Sequence, residues 1–487
     1  MEDNDAGGVP ARQAAGLAGS GAATAREALV ERPQRPVRAG VVWLALALAG
    51  GSACRRPEGP PNLLVVTIDT LRADHCSTYG YSRQTTPVLD RLAREGVQVE
   101  QAYAPMATTG PSHASMFTSL YPASLGYTRN GQVLDDAQLT LAERLRRARY
   151  RTAAAVSSFV LDRRFGFAQG FGTYDAAFEP GTASTRFSTW EGVEVDSAFD
   201  RRANATTDAA LSWLGRRGRD RPFFLWVHYF DPHHPYVAPP PFDQRFPGAG
   251  PGTVAEAIAQ YDGEIAFTDQ HLGRLIDAVD AEGLRERTLV VVTADHGEGL
   301  MQHGHMGHGI HLYEEAVRVP LVFRWPGRLP AGTRLPGPAE HVDLVPTVLE
   351  LIGLEPRTGE VEGVSLAKGL LGEAGVPGRD VRRTVVLQRR RYESDSVGGV
   401  AVRGSKFAVR AGPWKYIEAD DEGTRELFDL SQDPRETVDL AVSRAEEADR
   451  LSRLIAVWRK RFERGRRAID DASPETLEAL RALGYVQ

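Results

Sequence analysis

The chain has 487 residues, 42% of them hydrophobic, and a formal net charge of −6. That is enough apolar material for two or three average domains, or for one large α/β domain with an appendage. The acidic balance argues against a nucleic-acid partner, which calls for a basic footprint, and two cysteines, Cys54 and Cys76, exclude a disulfide scaffold or a cysteine-rich zinc module.

Residues 1 to about 40 lack apolar periodicity and read as disordered. Arg35 and Arg38 then precede the apolar run Val41–Ala49, which is followed by the small residues Gly50 to Ala53. A positive flank, a short apolar core and a small-residue end make a secretory signal, and the run falls short of the roughly 20 residues needed to span a bilayer. Cys54 resembles a bacterial lipoprotein site, although Gly51 stands where Leu is usual. The expectation is an exported protein, periplasmic or held at a bacterial membrane through a lipidated Cys54.

Asn62–Ile68 is an apolar, β-branched run ending at Asp69, which predicts a buried parallel strand with a carboxylate at its C-terminal end. Thr86–Gly96 has helical spacing between a Pro and a Gly, Ser112–Leu120 reads as a helix begun through Pro111, and Leu139–Ala148 is amphipathic. Thr152–Val156 predicts a strand. The aromatic stretch from about 160 to 200 predicts loops, where Phe165, Phe167 and Phe171 suit either a sugar platform or core packing. Asp200–Leu214 and Val254–Ala281 predict helices, and Pro222–His228, Thr288–Thr293 and Val319–Phe323 predict strands. From about 380 the texture becomes short alternating segments, then a charged helix over Arg444–Arg466. The predicted organisation is a leader over 1–59, a catalytic domain over 60–380 and an α+β subdomain over 381–487. The predicted fold is α/β: a large, mainly parallel sheet covered by helices on both faces, plus a small C-terminal antiparallel sheet with a helix.

Asp69, Thr109, Asp295 and His296 could converge at strand ends. Two carboxylates, an imidazole and a hydroxyl suit a divalent ion such as Ca²⁺, Mn²⁺ or Zn²⁺. Coordination would activate the poorly nucleophilic threonine, and the helix beginning after it would present N–H groups to a phosphate or sulfate. The chemistry implied is in-line displacement at phosphorus or sulfur. Each element also has a plainer reading: Asp69 and Thr109 as caps, Asp295-His296-Gly297-Glu298 as a turn, Asp231–Tyr236 as a rigid proline turn with solvated histidines, and His303, His305, His308 and His311 as a cluster that binds stray metal and nothing more.

The series Asp69-Thr-Leu-Arg-Ala-Asp-His75, Thr109-Gly-Pro-Ser-His-Ala-Ser115, Asp231-Pro-His-His-Pro-Tyr236 and Asp295-His-Gly-Glu298 resembles the sulfatase branch of the alkaline-phosphatase superfamily. Tyr313–Pro320, His341–Thr347, Leu427–Pro434 and Leu480–Tyr485 extend the likeness from about residue 60 to the end. The resemblance implies Asp69, Thr109, Asp295 and His296 as metal ligands, Thr109 as nucleophile and His233 as general acid. By the same likeness, Ser112, His113 and His308 would lie against the substrate. Three departures matter. Thr109 stands where the family has the Cys or Ser matured to formylglycine, His113 replaces the closing Arg, and Thr70 replaces the second Asp of a common pair. They favour phosphoester over sulfate chemistry, and His296 favours Zn²⁺ or Mn²⁺. Asp231, His305 and His308 do not match a second-ion set cleanly, so one ion is expected. The substrate class is a small-molecule, glycan or lipid ester. A phosphotransferase of the same fold, or a silent binding lipoprotein, is the alternative.

Overall fold

Strand Asn62–Ile68 (β1) is buried along its whole length because it lies in mid-sheet, paired in parallel with a strand on either side. The structure is a computed structural model that describes residues 59–178, 189–190, 193–194, 199–356, 359–373, 380, 383–397 and 399–470. The signal-like segment and Cys54 lie outside the described residues. No helix among the described residues is long and apolar enough to cross a membrane.

The other main strands are Val97–Tyr103 (β2), Arg151–Ala155 (β3), Thr173–Asp175 (β4), Phe223–Tyr229 (β5), Thr288–Ala294 (β6), Arg318–Arg324 (β7) and Thr333–Leu335 (β8). They form one sheet in the order β8-β2-β7-β6-β1-β5-β3-β4, with Ala339–Glu340 also pairing β2. All neighbours are parallel except β7, which runs antiparallel to both β6 and β2. That direction cannot be read from a single apolar strand, because parallel and antiparallel runs share a composition when both faces are buried.

The helices are Pro87–Arg94 (α1), Thr109–Thr118 (α2), Leu141–Arg147 (α3), Ala203–Arg216 (α4), Val254–Ala281 (α5), Leu344–Leu351 (α6) and Ala445–Asp470 (α7). Alternation along β5 shows how both faces are covered. Phe117 of α2 meets Phe224 and Trp226 on one face, while Trp213 and Thr207 of α4 meet Phe223 and Tyr229 on the other. Phe165 and Phe167 are buried in this core and Phe171 packs on Phe224 and Trp226, so core packing, not a sugar platform, accounts for them. Thr173–Asp175 adds an edge strand inside the stretch expected to be loop.

The C-terminal part is a four-stranded antiparallel meander, Val385–Val397 (β9), Val400–Ala411 (β10), Trp414–Ala419 (β11) and Thr424–Asp429 (β12). Its residues alternate between two cores. Val385, Leu387, Ala408, Ile417 and Phe428 pack on Tyr103 and Val317, whereas Val386, Val409, Tyr416 and Leu427 pack on Leu451, Ile455 and Trp458 of α7. The meander is therefore glued to the large sheet by one face and roofed by α7 on the other. The described residues from 59 onward belong to one compact unit.

Candidate active site

Asp69 follows β1, Asp295 and His296 follow β6, and His228 sits near the end of β5, so three neighbouring parallel strands deliver their side chains to one carboxyl-end crevice. Asp69 and Asp295 are buried, at 1% and 0% exposure. Both Asp69 oxygens, Asp295 Oδ2 and His228 Nε2 lack a hydrogen-bond partner among the described residues. The other oxygen, Asp295 Oδ1, accepts from Thr70 N–H at 3.2 Å and His296 N–H at 2.8 Å. Thr70 reaches it by adopting a left-handed φ of 54°. So the residue at the second-Asp position contributes a backbone donor.

Thr109 opens α2 rather than preceding it. Its Oγ1 lies 3.2 Å from His296 Nε2, which is 3.5 Å from Asp295 Oδ2 and 3.8 Å from Asp69 Oδ1. His296 Nδ1 donates to Gly297 O at 2.9 Å, so Nε2 keeps its lone pair for the crevice. Opposite, His228 Nε2 faces Asp69 Oδ2 at 3.6 Å. Donors bound to one first-row ion at about 2.0–2.2 Å stand about 3–3.5 Å apart, and the Asp69, Asp295 and His296 ligand atoms fall within 4.8 Å of one another. Burial raises the Asp69 carboxyl to about 8, and burial with the neighbouring Asp69 charge pushes Asp295 well up too, against its two backbone donors. Such carboxylates fit a bound divalent cation, which would supply the missing charge.

Ser112 and His113, expected against the substrate, are fully buried behind Thr109. Ser112 Oγ donates to Asp295 O at 2.6 Å and accepts from His341 Nδ1 at 2.9 Å. His113 Nδ1 donates to Thr109 O at 2.8 Å, and Nε2 accepts from Thr67 Oγ1 at 3.0 Å. Thr67 Oγ1 in turn accepts from Trp226 Nε1 at 3.0 Å. Burial and the neighbouring His228 keep His113 neutral. These two residues hold Thr109 in register with β1 and β6. The helix end offers fewer free donors than expected, because Gly110 N–H is taken by Asn130 Oδ1 at 2.7 Å and Pro111 has none.

His308 and His233 cover the crevice. The His308 ring lies 4.4 Å from that of His296 and 5.1 Å from that of His233. Burial opposes the His308 charge, but Glu298, at 3.1 Å from Nδ1, together with Asp69 and Asp295, outweighs it and raises the group to about 9. Burial and the charge on His308 lower His233 to about 4. His233 Nδ1 donates to His234 O at 2.6 Å, so the neutral ring has no proton on Nε2. Of the two rings, His308 therefore holds a proton more readily than His233, the residue expected as general acid.

The second-ion set does not assemble. Asp231 accepts from Arg202 Nη1 and Ala203 N–H, both at 2.8 Å. His305 faces His311, and His303 is bound by Glu315 at 2.6 Å and stacked on Tyr313. Of the four-histidine cluster, only His308 reaches the centre. Sequence reasoning assigned no role to His228, Thr67, His341, Asn130 or Glu298. His228 alone had a local signal, as a polar residue ending a buried strand.

Gly297 shows how tightly His296 is set. A Cβ there would lie 2.0 Å from Glu315 O, while Gly297 N–H donates to Ala316 O at 2.9 Å. Gly297→Ala must push the turn off that carbonyl. The expected result is a loss of about 2–4 kcal/mol of stability in denaturant melts, with weakened metal binding.

Three buried carboxylate oxygens without a hydrogen-bond partner, a hydroxyl and a neutral imidazole thus meet at the carboxyl ends of a mostly parallel sheet. Residues 61–354 match the Sulfatase family model, and residues 302–459 match that of the N-sulphoglucosamine sulphohydrolase C-terminal region. The chain belongs to the sulfatase family, whose members hydrolyse sulfate or phosphate-type esters. Arylsulfatase A of Bos taurus is 28% identical, over 91% of this chain and 90% of its own. The structure of BT4656 in complex with D-glucosamine-2-N,6-O-disulfate superposes with a TM-score of 0.68 at 21% identity, covering 83% of this chain and 98% of that one. The phosphonate monoester hydrolase of Agrobacterium radiobacter superposes with a TM-score of 0.66 at 22% identity, covering 83% and 96%.

Proposed function

We propose that the chain is an exported, metal-dependent hydrolase that cleaves phosphate-type esters through a covalent Thr109 ester. One observation carries the reading: Thr109 Oγ1 lies 3.2 Å from the His296 lone pair, beside the partnerless oxygens of Asp69 and Asp295. Solved relatives of this fold include both sulfatases and phosphonate monoester hydrolases, so the fold leaves the ester open. Thr109 tips the balance, because a threonine is not matured to formylglycine and must attack with its own hydroxyl.

Asp69, Thr109, Asp295 and His296 would hold the ion, with His228 Nε2 as a further donor facing the same space. Two imidazoles favour Zn²⁺ or Mn²⁺ over Ca²⁺. When bound, the ion supplies Lewis-acid stabilisation of charge on the ester. Thr109 stands at the positive end of α2, which favours its alkoxide and the phosphoryl oxygens. The Thr109 hydroxyl gives up its proton to solvent once the site is loaded; its oxygen then forms the bond to phosphorus as the bond from phosphorus to the alcohol oxygen breaks, and it is released again as the alkoxide when water displaces it. The alcohol leaves with the proton from His308 Nε2, whose Nδ1 is held by Glu298. Neutral His308 then takes a proton from the water that releases phosphate from Thr109.

The test is turnover of matched aryl sulfate, phosphate monoester, phosphodiester and phosphonate by stripped enzyme, with Mn²⁺, Zn²⁺ or Ca²⁺ returned singly. Phosphate or phosphonate cleavage restored by Zn²⁺ or Mn²⁺ is expected. Aryl sulfate as the fastest substrate overturns the reading. Fatty-acid labelling of wild type against Cys54→Ser tests the attachment at Cys54.

A further inference from the structure

Two arginine clusters far apart in sequence meet in one groove of about 770 Å³. Arg146, Arg149 and Arg151 run from the end of α3 into β3, and Arg216, Arg217 and Arg221 run from the end of α4 towards β5. No carboxylate lines the groove among the described residues. Two acids stand beside it: Asp220 pairs with Arg151 at 2.6 Å and lies 3.5 Å from Arg221, and Glu282 pairs with Arg217 at 2.7 Å. Arg216 Nε donates to Ser212 O at 3.2 Å. A strong local excess of positive charge thus sits on a chain whose net charge is −6. Arginines at the C-terminal turns of α3 and α4 offset the helix dipoles. That accounts for one on each helix, not for six converging.

The groove's place narrows its ligand. It lies at the end of the sheet where β3 and β5 begin, and β1 begins there too, with Asn62 Oδ1 accepting from Phe223 N–H at 3.1 Å. The catalytic carboxylates are at the opposite ends of these strands, about 23 Å away for seven residues at about 3.3 Å each. An ester held at Asp69 and Asp295 cannot reach so far unless its alcohol is a long polymer. Guanidinium groups match phosphate oxygens in geometry and charge, and the partly buried Trp213 on the groove wall suits the headgroup level of a bilayer.

We infer that this groove docks on an anionic phospholipid surface, holding the N-terminal end of the sheet at the bilayer and the catalytic crevice away from it. The inference rests on charge and placement, and stands apart from the proposed reaction.

The test uses the full chain carrying Cys54→Ser, so that no acyl chain contributes, with sedimentation against two kinds of vesicle. One is phosphatidylcholine alone, and the other contains roughly 30% phosphatidylglycerol. Extra binding to the anionic vesicles, lost at about 0.5 M salt, is expected. Each arginine near such a surface contributes about a fivefold gain in affinity. Arg146→Glu, Arg149→Glu, Arg216→Glu and Arg221→Glu combined should therefore weaken anionic binding more than about a hundredfold. These four side chains are exposed, so melting and small-ester turnover should not change. Equal binding to both vesicles, or undiminished anionic binding by the fourfold variant, overturns the proposal. Capture by a sulfated polysaccharide without vesicle binding also overturns it and assigns the groove to a glycan.

Discussion

Thr109→Ala should lower kcat on the best substrate by at least about a thousandfold while leaving the protein folded, the effect expected of removing a covalent nucleophile. The Thr109 side chain has one hydrogen-bond partner among the described residues, His296. The backbone around it is held independently, through His113 to Thr109 O and through Ser112 to Asp295 O. Losing the hydroxyl therefore removes chemistry and one donor to the ion, and little packing. Thr109→Ser should retain a measurable fraction of activity, because the oxygen stays on the same helix position. Mass spectrometry of quenched enzyme should show a phosphoryl adduct on Thr109 in wild type and none in Thr109→Ala. A variant with undiminished turnover, or a wild type that never carries the adduct, sinks the threonine mechanism.

The residues that meet in the crevice were legible because each directly follows an apolar run or opens a helix, where a polar residue stands out against its neighbours. Asp69 after Asn62–Ile68 and Asp295 after Thr288–Ala294 are of this kind, and the structure brings them together with Thr109 and His296. Of the supporting shell, only His228 gave a local signal. Thr67 and His228 lie inside buried strands, and His341 comes from a turn 229 positions from Ser112, so their partners exist only once the sheet is assembled. Strand β2 was missed although Val97, Val99 and Tyr103 face inward, because Gln98, Glu100 and Gln101 interrupt the apolar run. The proton assignment between His233 and His308 depends on Glu298, ten positions before His308 in sequence but 3.1 Å from it in space. Spacing alone could not separate the two rings.

Lys415→Met should cost about 3–5 kcal/mol, the penalty for stranding buried carboxylates by removing their cation. Lys415 is fully buried, with Glu314 at 3.0 Å and Glu436 at 2.9 Å. Glu436 also accepts from Glu314 N–H at 2.5 Å. Burial already raises the Glu436 carboxyl to about 7, even though Lys415 opposes that rise. Without the ammonium it rises further. A carboxyl whose folded pKa exceeds its unfolded value destabilises most above the folded pKa, so the defect should be largest at alkaline pH. It should ease as pH falls towards the unfolded value near 4.5. Melting should drop by roughly 3–6 °C at neutral pH, and adding Glu436→Gln to Lys415→Met should recover part of it. The damage should also reach the crevice. Glu314 begins the turn whose Glu315 and Ala316 carbonyls accept from Glu298 and Gly297 N–H at 2.8 and 2.9 Å. That turn sets His296 and positions the carboxylate that charges His308. Lys415 is thus where the small sheet supports the chemistry of the large one. A variant that melts like wild type at alkaline pH would show that the buried ion triad carries none of that support.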